Sequence, residues 1–123
     1  MKKQLLSLLV ITEVFILTPS TALAEFYLNE KAFLRTVNNL LLENNNPLSK
    51  ISNFDKLNYG QKVCINLGQG VTLKNSSEKL ISVLASDKTI SLNQKWQLIN
   101  YDSTVTIAAL HFFCPEYKSQ IPS

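Results

Sequence analysis

Histidine occurs once in this chain of 123 residues, cysteine twice, glycine three times and proline four times. A lone histidine, His111, leaves too few ligands for a zinc or iron site built from clustered His, Cys, Asp or Glu, so neither a metal nor a cofactor is expected. The three glycines, Gly60, Gly68 and Gly70, do not make a phosphate-binding loop. Gly68-x-Gly70 reads as a helix end, without the third glycine or the strand-then-helix setting such a loop needs. Runs of one charge sign are missing too. The 12 basic and 9 acidic residues are interspersed, and Lys31, Arg35, Lys50, Lys62, Lys79 and Lys95 have no aromatic interleave, which favours a solvated surface over contact with nucleic acid. A catalytic nucleophile would need a base beside it. His111 follows Ser103 by eight residues on one predicted helix, roughly 12 Å along the axis, so the two cannot touch. No catalytic residue is assigned.

What the chain does have begins at the N-terminus. Lys2 and Lys3 precede the apolar run LLSLLVITEVFILT, and Ala22-Leu23-Ala24 fits a small-x-small cleavage site, so residues 1–24 read as a secretory signal. Glu13 departs from that pattern, since a carboxylate at mid-bilayer costs roughly 2.5 to 3.5 kcal/mol. The alternative is an uncleaved membrane anchor, but the interrupted run is shorter than the ~20 residues a spanning helix needs. Cleavage would leave residues 25–123 as one domain of 99 residues with no stable membrane insertion. Taking Lys2, Lys3 and Glu13 away from 12 basic and 9 acidic residues leaves 10 and 8. A secreted or periplasmic location follows, in a bacterial setting suggested by the Met-Lys-Lys start. Both cysteines, Cys64 and Cys114, fall in the mature part and are expected to pair there. Closing a loop of that length removes on the order of 4 kcal/mol of unfolded-state entropy. A redox thiol would want a Cys-x-x-Cys or a neighbouring histidine, and neither is present.

Periodicity predicts an all-α fold of four helices, near residues 26–43, 55–67, 76–86 and 91–114. The first should stop in Asn44-Asn45-Asn46-Pro47. Asp55 is expected to cap the second, within which Gly60 either marks close approach of another helix backbone, as preferred, or is simply tolerated. Asn75 is expected to cap the third, with Val71, Thr72 and Leu73 as an extended connection before it; that reading is preferred to a glycosylation sequon at Asn75-Ser76-Ser77. Ser91 with Gln94 makes a capping box for the fourth. That helix carries two apolar stripes, Leu92-Trp96-Ile99-Ser103-Ile107-Leu110-Cys114 and Leu98-Tyr101-Val105-Ala108-Phe112, and Pro115 should hold Cys114 at its end. The expected core is Trp96, Ile99, Ile107, Leu110, Val37, Leu41, Val63 and Leu84. Asp102, Ser103 and Thr104 break the stripes; they either line a pocket or, as preferred, face solvent with Ser103 bonded back to a carbonyl.

Phe33-Leu34, Gly60 to Cys64, Gly68, Gly70 and the terminal Phe113-Cys114-Pro115 together resemble domain of unknown function family 732, across residues 33–115. Phe113 stands where that family usually has tyrosine, and the Asn44–Asn46 loop is a further departure. The resemblance implies an exported, all-helical, disulfide-linked protein, and it brings no activity or site residue with it.

Two function classes remain open. A non-catalytic module, monomeric, would bind a protein or a small apolar ligand outside the cytoplasm, with Trp96, Tyr101, Phe112 and Phe113 as the expected binding surface. An extracytoplasmic enzyme with a site near His111 is the alternative, favoured less because Asp102, Ser103 and His111 lie apart on one helix.

Overall fold

The computed structural model describes residues 13–122. Residues 1–12, which hold the basic start and much of the apolar run read as a signal, lie outside the described residues. Four α-helices account for the fold: α1 Glu13–Glu43, α2 Asn53–Gly68, α3 Leu73–Ser86 and α4 Leu92–Phe112. Short 3-10 turns occupy Pro47–Lys50 and Pro115–Gln120. The all-α class is as the periodicity requires, and Cys64 and Cys114 are bonded, their Cα atoms 5.9 Å apart.

Helix α1 is already formed at Glu13, the first described residue, well before Phe26. Nothing between Thr21 and Glu25 breaks a helix, and Ala and Leu are strong helix formers, so the backbone ladder runs through the expected cleavage site. The chain divides into two compact units, residues 1–31 and 32–123. In the first, Leu23, Phe26, Tyr27 and Leu28 are exposed, and the Lys31 ammonium lies 5.5 Å from the Tyr27 ring centroid.

In the second unit the core is built on α4. Phe33, Val37 and Leu41 recur every four residues on the last part of α1, and each is fully buried. They pack with Tyr101, Val105, Ala108 and Ala109 of α4. Leu110 and Leu84 are buried as expected, and Val63 packs partly buried against the core. Trp96, Ile99 and Ile107 are not core: they are 47%, 37% and 50% exposed. With two apolar stripes on α4, hydrophobicity alone does not choose the inner one. Ala108 and Ala109 do, because small side chains let neighbouring helices approach closely; Trp96, Ile99 and Ile107 are left outside, while Leu110 and Cys114 at the end of the same stripe are buried.

Gly60 is buried on α2, and its neighbour is a ring rather than the helix backbone expected there. A Cβ at that position would lie 2.6 Å from Phe33 Cζ and 3.4 Å from Phe113 Cε2. Phe33 and Phe113 stack with centroids 4.6 Å apart. The residues Phe33, Gly60 and Phe113, far apart in sequence, therefore form one packed cluster.

The caps sit three residues earlier than expected on two helices. Ser52 Oγ accepts from the Asp55 amide at 3.1 Å, so Ser52 caps α2. Thr72 Oγ1 accepts from the Asn75 amide at 3.1 Å, so Thr72 caps α3 and Leu73 is already helical. The Ser91–Gln94 box is formed in both directions, at 3.1 and 2.9 Å. Helix α1 ends at Glu43 with Asn45 in the left-handed region, φ 53°, and Gly70 after α2 has φ 93°, both suited to residues that tolerate that conformation.

The asparagine loop does more than stop a helix. Asn46 is buried; its Nδ2 donates to Gln97 O and Asn100 Oδ1, both at 2.9 Å, and its Oδ1 accepts from the Leu48 amide at 2.9 Å. That ties the loop to α4. Lys56, 1% exposed, likewise donates to Asn38 Oδ1 and Ser49 O, both at 2.6 Å. Burial lowers its pKa, because the charged form loses solvation.

Candidate functional site: a cleft under helix α3

Helix α3 buries only Leu84 of its 14 residues, and space remains on both of its flanks. The first cleft has a volume of about 370 Å³, within the range of small-molecule sites. Its α2 wall is Tyr59, Lys62, Val63, Asn66 and Leu67, an i, i+3, i+4, i+7, i+8 face that only a helix presents together. From α3 come Leu73, Ser76, Ser77, Lys79, Leu80 and Val83, and from α4 Asp102 and Thr106. The second, about 600 Å³, lies between α3, α4 and the final 3-10 turn, where Ile107, Leu110 and Ile121 supply apolar surface. Leu73, Ser77, Asp102 and Thr106 belong to both. Gln120 Oε1 accepts from the Leu73 amide at 3.0 Å, fixing the start of α3 to the last turn.

The polar centre of the first cleft is a pair. The Tyr59 hydroxyl donates to Asp102 Oδ1, and the Tyr59 ring meets Tyr101 edge-on with centroids 5.6 Å apart. The Tyr59 phenol is pushed far above its ordinary range, first by burial and then by the hydrogen bond to and negative charge of Asp102. A phenol held neutral in this way donates a hydrogen bond and is a poor base. Burial raises Tyr101 as well, with the charge of Asp55 as the second cause.

The mid-helix polar break is thus not simply a solvent face. Asp102 lines both cavities, Ser103 lines the second, and Thr104 is buried. His111 is exposed, its ring edge-on to Phe112 at 4.7 Å, and it lines neither cavity. Among the described residues no three His, Cys, Asp or Glu side chains gather as a metal site would require.

The four aromatics expected to form a binding surface are distributed differently. Tyr101 is buried in the core, Phe112 and Phe113 pack against it partly buried, and Trp96 stands half exposed. None of the four lines either of these two clefts. Tyr59 and Thr106 are not singled out by sequence, Lys62 reads as part of a solvated surface, and Leu80 and Val83 as the apolar face of the third helix. The available signal was the α2 face shared by Tyr59, Val63 and Leu67, together with Asp102 and Thr106 one turn apart on α4. No protein-family model matches the chain, no curated protein matches it, and no solved structure does.

Proposed function

We propose that this protein is an exported, non-catalytic binding module that takes a small apolar ligand in the cleft between α2, α3 and α4. The observation that carries this reading is the cleft itself. Val63, Leu67, Leu73, Leu80 and Val83 supply apolar walls, and in the hydrogen-bonded pair among the polar groups, Tyr59 with Asp102, the phenol is held neutral. A site with mainly apolar walls and a few placed polar groups suits retention better than turnover. An enzyme organised around His111 has no comparable support, since His111 lines neither cavity.

A secreted or periplasmic location belongs to the same proposal. It rests on the Lys2-Lys3 start, the apolar run and the disulfide, which suits an oxidising compartment. Among the described residues no helix is long and apolar enough to cross a membrane. Kinship with domain of unknown function family 732 is part of the proposal too, supported by Phe33, Gly60, Cys64 and Phe113-Cys114-Pro115.

The test uses exported protein and the neutral apolar dye Nile red. Its mass should correspond to a chain starting at Glu25; a full-length form held in membranes overturns the export reading. Dye fluorescence should rise on binding, and the double substitution Leu80→Asp with Val83→Asp should abolish the rise. Ile81→Asp, on the same helix but outside the lining, should leave it intact, with helical circular dichroism unchanged in both. Equal dye binding by all three chains would remove the cleft as the site.

A further inference from the structure

We propose that the ligand is a single-chain amphiphile with an anionic head, its tail in the apolar cleft and its head held by Lys62 and Lys79. This rests on the binding reading above and names the chemistry of the same site. Lys62 on α2 and Lys79 on α3 both line the 370 Å³ cleft, one on each of two facing helices, and both are exposed. The single ion pair among the described residues is Lys74–Glu78, so neither Lys62 nor Lys79 is matched there by a carboxylate.

The remaining polar groups agree in sense. Lysine ammonium groups only donate, and the Asn66 amide and the hydroxyls of Ser76, Ser77 and Thr106 can donate as well. Against these stands one carboxylate, Asp102, with an oxygen already engaged by the Tyr59 hydroxyl. By charge, two lysines stand against one carboxylate, so the lining is net positive around an apolar space, the arrangement that receives an anion attached to a hydrocarbon. The other flank of α3 differs in sign. There Lys74 is paired with Glu78 at 3.6 Å and Asp102 adds a further negative charge, so an anionic head is directed to the first cleft.

Calorimetric titration of the full exported chain with decanoate, decanol and decyltrimethylammonium tests the assignment. Decanoate should bind about tenfold tighter than decanol, the gain expected from two exposed charge contacts, and added salt should narrow the gap. Lys62→Gln with Lys79→Gln should bring decanoate down to the level of decanol without loss of helical signal, both positions being exposed. Equal binding of decanoate and decanol by the parent chain overturns the anionic head while leaving the apolar cleft in place. Tighter binding of the cationic amphiphile overturns it with the opposite sign. If none of the three binds, the cleft reading falls and this assignment falls with it.

Discussion

On one side of α4, Tyr101, Val105, Ala108 and Ala109 meet Phe33, Val37 and Leu41, and all seven are buried. On the side toward α3, Asp102 and Thr106 face open space of about 370 Å³, under a helix that leaves Ile81 and Val83 more than half exposed. The two sides are not distinguished by hydrophobicity, since α3 offers Leu80, Ile81, Val83 and Leu84. They are distinguished by fit. On the closed side a glycine in α2 and two alanines in α4 let a phenylalanine ring fill the gap between helices, whereas α3 brings branched side chains to a face interrupted by Asp102 and Thr106. Dense packing makes a side sensitive to single atoms; loose packing leaves room for a guest.

The largest expected effect is on the closed side. Phe33→Ala should cost about 3 to 5 kcal/mol in chemical denaturation, the range for removing a buried aromatic ring. A loss as small as that of a surface substitution, within about 0.5 kcal/mol, would mean the two sides do not differ.

Gly60→Ala sharpens the same contrast. Glycine within a helix is ordinarily improved by alanine, by about 1 kcal/mol, but here the added methyl would meet Phe33 at 2.6 and 2.9 Å. Overpacking of that kind costs about 1 to 3 kcal/mol, so a net destabilisation of about 1 kcal/mol should appear. It should shrink in a Phe33→Leu background, where the two changes are coupled. A more stable Gly60→Ala chain would show that the ring yields.

The smallest effect lies in alkaline solution. Lys56 has a lowered pKa in the fold, so between that value and 10.5 the unfolded chain binds the extra proton and stability rises with pH. Tyr59 and Tyr101 are raised, so above about pH 10 the unfolded chain releases protons that the folded one keeps, and stability falls. Denaturation midpoints should therefore climb and then drop. Lys56→Met should remove the climb and Tyr59→Phe should soften the drop. A parent curve flat across this window would contradict both assignments.

Much of the fold could be read in the sequence because it is written in local signals. The Ser91–Gln94 box, the asparagine stop after Glu43 and the pairing of the two cysteines each depend on near neighbours or on elimination. The inner face of α4 could not be read that way. Trp96, Ile99 and Ile107 were the heavier stripe, and choosing Ala108 and Ala109 instead requires knowing that Phe33 arrives opposite Gly60. Lys56 escaped for a related reason: its charge suggested solvent, although it lies one turn before Gly60 on the face that also carries Leu67. The cleft was the least legible part. Asp102 was recognised as a break in the pattern, but its partner Tyr59 and the lysines of the facing walls come from α2 and α3, and no spacing within one segment joins them.

The bond between Cys64 and Cys114 has a consequence for recognition. Cys64 adjoins Val63, a wall residue of the cleft, and Cys114 packs with Leu67, another wall residue, and with Leu110 of α4. The bond thus ties α2 to the end of α4 before any guest arrives, whereas α3 carries neither cysteine. Oxidation supplies preorganisation. The ordering of α2 against α4 is settled when the protein folds, and a ligand has only the side chains of α3 left to immobilise, which lowers the entropic cost of capture.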